Sequence, residues 1–505
     1  MKLRSSKPLL TILAPPSTRP WPRSGYTAAG GNEMSERPCR ICRIGPLAAP
    51  LVLCTLLLAW SGLSRAQEPG GLPPLEGGPT PSTMAVQAGY GLLGEDYFIN
   101  LAVGAELNLD PVMLGLQLPL RIRVVDNAPE SKEWYREEDW DEVSDWTRIL
   151  RYIQYGKPAD PVYVRLGELA ASTIGHGTIL NRYYNNLDAD HYYTGLATNL
   201  NMDVWGSQFL VNNIMGWNLV GMRGYVKPLA MALPDLHPVP KSLRTGVSFI
   251  SDFRAPWSIA LDEQGRPAFD GENNLKYEER SAWFLGFDLA IDVFSSKIAV
   301  ITPYTDLNFF RDVGVGWHLG ILTALKALSS EFTIKLEYRA VGAGYSPAYF
   351  NSLYELEKVS FLPLANFEPS PKLKYFSEAD LETQHGMYGE LYVNILGKMG
   401  IGGAYEDYQG PNNSSLMLRA ELPKIIGIQL AAYYTRRNFD GLDDVFSLDR
   451  AMAVAQATVD LTSPFMLFAA YNIRWRLDTE PTSVTQGDYL SESSFEVGVG
   501  AAFTF

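Results

Sequence analysis

Residues 495–505, FEVGVGAAFTF, end the chain on a two-residue alternation. In an extended strand Phe495, Val497, Val499, Ala501, Phe503 and Phe505 share one face, while Glu496, Gly498, Gly500, Ala502 and Thr504 share the other. The chain stops on Phe505. A strand with one wholly apolar face needs either a second apolar layer or a lipid to cover it.

The same period recurs upstream. Val112, Leu114, Leu116, Leu118, Leu120, Ile122 and Val124 oppose Gln117, Arg121 and Arg123. Trp283, Leu285, Phe287, Leu289 and Ile291 oppose Asp288 and Asp292. Phe332, Ile334, Leu336 and Tyr338 oppose Lys335, Glu337 and Arg339, and Met387, Leu391 and Val393 oppose Glu390 and Asn394. Phe465, Leu467, Ala469, Tyr471, Ile473 and Trp475 form a further apolar face. Segments of about 10–14 residues suit tilted membrane-crossing strands, whereas sandwich strands run about 5–6. Within a bilayer only closure satisfies every strand edge.

The closing stretch resembles the C-terminal strand of bacterial outer-membrane β-barrels, which ends in Phe and offers alternating apolar residues to the assembly machinery. The resemblance implies a porin-like class in a Gram-negative outer membrane, with Phe503 and Phe505 as the assembly signal and outer-membrane lipids around the wall. It singles out no function. The expected fold is all-β: a transmembrane antiparallel up-and-down barrel of about 18 strands counted from residue 96, an even number between about 16 and 20. Short links at Asp110-Pro111, Ser295-Ser296, Gly397-Lys398, Leu422-Pro423-Lys424 and Thr462-Ser463 alternate with long ones at 254–280, 343–385, 438–450 and 477–493. The alternation breaks where 126–160 and 170–190 are both long, so either a strand is hidden there or one link folds into the barrel.

The first 66 residues have another chemistry. They hold nine Lys/Arg and two Glu, so they carry +7 and the remainder −21 of the net −14. The run 47–60, LAAPLVLCTLLLAW, is too short for a helical span of about 20 residues. Arg37, Arg40 and Arg43 precede it and Ser64-Arg65-Ala66 follows, the layout of a secretory signal peptide. The reading is an upstream extension at 1–33, a signal peptide at 34–66 cleaved after Ala66, a Pro/Gly-rich periplasmic linker at 67–83 and a barrel at 84–505. Cys39, Cys42 and Cys54 all leave with the head, so the exported chain has no disulfide. Charged residues at 19% and a mean hydropathy of −0.07 speak against a multi-span helical protein. A charge of −21 speaks against nucleic-acid binding.

Two stretches depart from the alternation. Residues 139–153 place Trp140, Val143, Trp146, Ile149, Leu150 and Ile153 at helical spacing, which predicts a short loop helix. Residues 172–191, STIGHGTILNRYYNNLDADH, put glycines on both sides of His176. Gly175, His176, Gly177, Asn181, Asn185 and Asp188 are expected to shape an inward-folded loop, with glycines for tight bends and Asn/Asp bonding the backbone. His176 and Thr178 resemble the His and Ser of the outer-membrane phospholipase, with Thr in place of Ser. A metal reading would use Asp188, Asp190 and His191, at loose spacing. The expectation is no enzyme, no cofactor and no metal.

Lumen candidates are Arg121, Arg123, Arg165, Arg223 and Lys227 on polar faces early in the chain, and Asp288, Asp292, Glu337 and Glu390 later. They would either set a field across a water-filled lumen or brace the wall as ion pairs. The function expected is passage of small polar or charged solutes. Alternatives are a structural or adhesive barrel with a closed lumen, and a membrane-embedded lipid hydrolase. Trp217, Trp283, Trp317, Trp475 and Tyr304 are expected in interfacial girdles.

Overall fold

The computed structural model describes residues 82–505 apart from 94–95, 128–132, 142–143, 188–191, 271–273, 328, 362–369, 397–398, 412, 426, 442–443, 449–450 and 481. The extension, the signal peptide and nearly all of the linker therefore lie outside the described residues.

Each strand pairs antiparallel with its chain neighbours, and the last, Tyr489–Thr504, pairs with the first, Thr83–Leu93. Thr83 faces Thr504 and Leu92 faces Phe495, so the sheet closes on itself. The described residues make a barrel of 20 strands rather than about 18. The two-residue stretch Phe294–Ser295 only bridges the edge of Ala299–Phe310 and adds no stave. One uncounted strand is Thr83–Leu93, ahead of residue 96. Another is Leu150–Tyr155, paired with Val112–Val125 and Val162–Gly167.

That second strand overturns the helix expected at 139–153. Residues Glu137–Asp139 and Asp145–Ile149 form two 3-10 turns, and Leu150–Tyr155 is extended. The α-helices lie elsewhere, at Pro228–Ala232, Pro238–Lys241, Tyr354–Glu357 and Lys372–Glu378. Backbone hydrogen bonding across the sheet outweighs a helical stripe of about four turns. A second correction concerns Leu422-Pro423-Lys424, which continue the strand Ser414–Ile425 instead of turning. The register shifts between Leu422 and Ile425, and such an irregularity is where a strand tolerates a proline without N–H.

Loop lengths sort by end. On the end shared with Thr83 and Thr504 the links are short, except 227–243 with its two small helices. The opposite end carries 126–149, 168–194, 260–276, 342–383, 440–451 and 478–488. The hidden strand restores the alternation that 126–160 and 170–190 had broken.

Outward faces are apolar and exposed, as at Leu118 48%, Phe287 44%, Leu336 53%, Met387 59%, Leu467 40% and Val499 55%. A belt of this kind far exceeds the apolar patches of water-soluble surfaces. No helix among the described residues is long and apolar enough to cross a membrane. Trp217 and Trp317 are exposed, as girdle residues would be. Tyr304 and Trp475 are not: Tyr304 is buried on Glu337, and Trp475 packs in a cluster with Tyr184, Leu187 and Leu353.

Candidate functional site: a lumen partly filled by two inward loops

Two links from the same end fold into the barrel. Residues 168–187 turn back as a small hairpin in which the Ser172 and Tyr183 amides each donate to the other's carbonyl, at 3.0 and 2.9 Å. Gly175 and Gly177 sit at φ 60 and 76, conformations that glycine adopts without cost. The second link, 342–383, lies against it: Ala348 N donates to Thr178 O, Phe350 N to Ile179 O and Asn181 N to Phe350 O, at 2.9, 3.1 and 3.0 Å.

Together they form an apolar core inside the barrel. Ile174, Ile179, Leu180 and Tyr183 of the first loop and Tyr345, Tyr349, Phe350 and Tyr354 of the second pack with Ile250, Phe284, Phe310 and Val341 of the wall. Phe284 and Phe310 stack at 4.1 Å, and each lies 5.1 Å from the Tyr349 ring. Each fully buried side chain of this size contributes roughly 1.5–3 kcal/mol, which holds the loops in place. The wall makes room at Gly316, where a Cβ would stand 2.1 Å from the Tyr345 ring. Gly316→Val is therefore expected to unseat residues 342–383 while leaving the barrel closed. Limited proteolysis should cleave that loop in the variant at protease levels the parent protein resists.

His176 Nδ1 lies 2.8 Å from Asp306 Oδ1, and the Thr178 hydroxyl donates to Asp306 Oδ2 at 2.8 Å. The imidazole stacks on Tyr304 at 4.1 Å, and Lys335 Nζ donates to the His176 carbonyl at 2.6 Å. His176 and Thr178 thus share one wall carboxylate, an arrangement that anchors the hairpin. The Thr178 hydroxyl donates to Asp306 and not to His176, so the His–hydroxyl pair of the phospholipase resemblance is not formed. Asn185 fixes the loop base: Oδ1 accepts from Leu169 N, and Nδ2 donates to the carbonyls of Tyr193 and Asn212. Asp188, Asp190 and His191 lie outside the described residues.

The charged candidates are placed as follows. Arg121 reaches Asp139, Arg123 Nε donates to Asp96 at 2.9 Å, and Arg165 Nη1 to Gln154 at 2.9 Å. Arg223 makes a two-pronged contact with Asp288 at 2.8 and 2.6 Å. Asp292 takes Arg244 at 3.0 Å, and Glu390 takes Arg182. Glu337 is fully buried among Lys335, Arg339, His318 and Tyr304. Lys227 lies past the strand Leu219–Val226, in the link before Pro228. Phe503 and Phe505 are exposed on the closing strand's outer side.

Sequence reasoning passed over Arg182, Glu406 and Arg437 and placed Arg339 only on a polar face with Lys335 and Glu337; the four meet between the loops and the wall. It also read 343–385 as an outer loop. Its aromatic density, Tyr345, Tyr349, Phe350 and Tyr354 within ten residues, was the available signal, since a solvated loop has no use for four large rings.

The lumen is filled unevenly. Behind the loops, wall residues such as Ile250, Phe284, His318 and Arg339 are almost fully buried. Across the barrel, inward residues Asn100, Glu106, Gln117, Arg121, Glu492 and Glu496 are only half-buried.

No family model matches this sequence, and no curated protein does. Solved structures similar to it include OccK11 (OpdR) of Pseudomonas aeruginosa, at 8% identity over 84% of this chain and 96% of that one, with a TM-score of 0.31. Wzi of Escherichia coli, described as a carbohydrate-binding β-barrel involved in group 1 capsule assembly, is 10% identical over 85% of both chains, with a TM-score of 0.32. OccAB4 of Acinetobacter baumannii is 9% identical over 86% of this chain and 100% of that one, with a TM-score of 0.29. At these values nothing that those proteins bind or do is carried over to this chain.

Proposed function

We propose that this chain is a Gram-negative outer-membrane channel for small polar or charged solutes, which pass along the sector of the lumen that the two loops leave free. The observation that carries this reading is the uneven filling: half-buried polar groups, Asn100, Glu106, Gln117 and Glu496, line the wall opposite the packed loops. Barrels of this strand number enclose a lumen wide enough for an aqueous channel. The exposed apolar belt supports a lipid surrounding, and the basic, apolar head at 34–66 supports export. The end with the long loops then faces outward and the end with Thr83 and Thr504 faces the periplasm. Phe503 and Phe505 would engage the assembly machinery.

Arg121 and Arg165, both half-buried, are the pore-lining groups in this reading, with selectivity set by size and by paired charges more than by opposed bare walls. Full-length protein folded into planar bilayers is expected to give discrete conductance steps. Complete absence of conductance from protein whose folding is verified by heat-modifiable gel migration would overturn the channel.

A further inference from the structure

Between the two loops and the wall strands from Ser330–Val341 to Ile428–Phe439 lies a cavity of about 70 Å³, lined by Arg182, Arg339 and Arg437 together with Glu406, Ser352 and Thr435. At 10–15 Å³ for each water-sized group it holds roughly five such groups. That is room for a carboxylate or a phosphate.

Two of its donors are unspent. The Arg339 side chain is 1% exposed. Its Nε is bound to Glu337, and its Nη1 to Glu406 and Tyr408, yet Nη2 is buried with no acceptor. Arg437 Nε is likewise buried with no acceptor. The carboxylates nearest Arg437, Glu357 and Glu406, stand at 3.9 Å, beyond hydrogen-bond reach. Both are already engaged, Glu357 by Lys372 Nζ at 2.6 Å and Glu406 by Arg339. Arg182 is held by Glu390. Arg437 thus has two carboxylates at 3.9 Å but no hydrogen-bonded acceptor on Nε, and it lines the cavity beside a second guanidinium with a free N–H. A buried donor without an acceptor costs its full desolvation, and an oxyanion placed here would recover that for two groups at once.

We propose that this cavity binds a small oxyanion, a carboxylate or a phosphate, through Arg339 Nη2 and Arg437 Nε. The proposal deepens the channel reading and rests on it only for how the anion reaches the site. Calorimetric titration of the detergent-solubilised full chain with inorganic phosphate, and separately with acetate, tests it. Saturable binding of one of them is expected, and whichever binds tighter identifies the oxyanion chemistry. Arg437→Gln should weaken binding at least about tenfold, the scale of a charge-assisted hydrogen bond. Ser352→Leu, which fills the cavity from the loop and leaves the wall intact, should abolish it if Arg437→Gln fails to fold. No binding of either anion by the parent protein, or binding unchanged in a folded variant, overturns the proposal. Calorimetric binding without any conductance would sink the channel and leave the site standing.

Discussion

Replacing residues 173–182 by Asn-Gly should raise the single-channel conductance severalfold and leave the barrel folded. Ser172 and Tyr183 are already paired across the base of the hairpin, so a two-residue turn closes the same pair. The excised segment contains Ile174, Ile179 and Leu180 of the inner core and the backbone groups of Thr178, Ile179 and Asn181 that hold residues 342–383. It contributes no strand to the wall. Its loss therefore removes both one filler of the lumen and the seat of the other. Asp306, which now binds His176 and Thr178, would face water instead, where a lone carboxylate is at ease. The wall pairs Arg223–Asp288 and Arg339–Glu337 do not involve the excised residues. Conductance equal to that of the parent protein, with heat-modifiable migration retained, would show that the hairpin does not obstruct the path.

How the sequence foreshadows this arrangement depends on which interactions decide each part. Strands that face lipid on one side and the lumen on the other carry their fate in a two-residue period, so 112–124, 332–340, 387–395 and 495–505 read directly. The short strands Leu150–Tyr155 and Val162–Gly167, of 6 residues each, hold too few alternations to stand out. Their pairing is dictated by neighbours far along the chain. The hairpin around His176 stands out in the sequence because two glycines take its positive-φ bends and Asn185 bonds the backbone at its base. Its partner loop was not, because its aromatic residues acquire meaning only once Phe284 and Phe310 face them across the lumen. The oxyanion cavity was the least legible: Arg182, Arg339 and Arg437 lie on three separate segments, and only closure brings them together.

Asp139→Asn should loosen residues 126–149 by about 3–5 kcal/mol, the usual cost of removing one partner from a buried ionic cluster. Asp139 is 0% exposed and faces three guanidiniums: Arg121, Arg136 Nη1 at 2.9 Å and Arg148 Nη1 at 3.3 Å. Burial pushes its carboxyl upward, but Arg121, Arg136 and Arg148 together outweigh that and hold it well below the usual carboxylate range. The asparagine would leave those cations with Asp145, which already binds Arg148 at 2.9 Å. The sign in pH follows from the depressed folded-state value. The stabilisation is present in full above the unfolded carboxyl range near 4, and is lost as pH falls through that range toward the folded value. Hydrogen exchange of 133–149 in the parent protein should therefore show the same opening free energy at pH 5 and pH 8. In Asp139→Asn it should be reduced at both, with the strands Val112–Val125 and Tyr489–Thr504 unchanged. Equal protection of 133–149 in variant and parent would mean that the loop is held by its apolar contacts, Trp140 on Trp146 above all, and not by the three-arginine cluster.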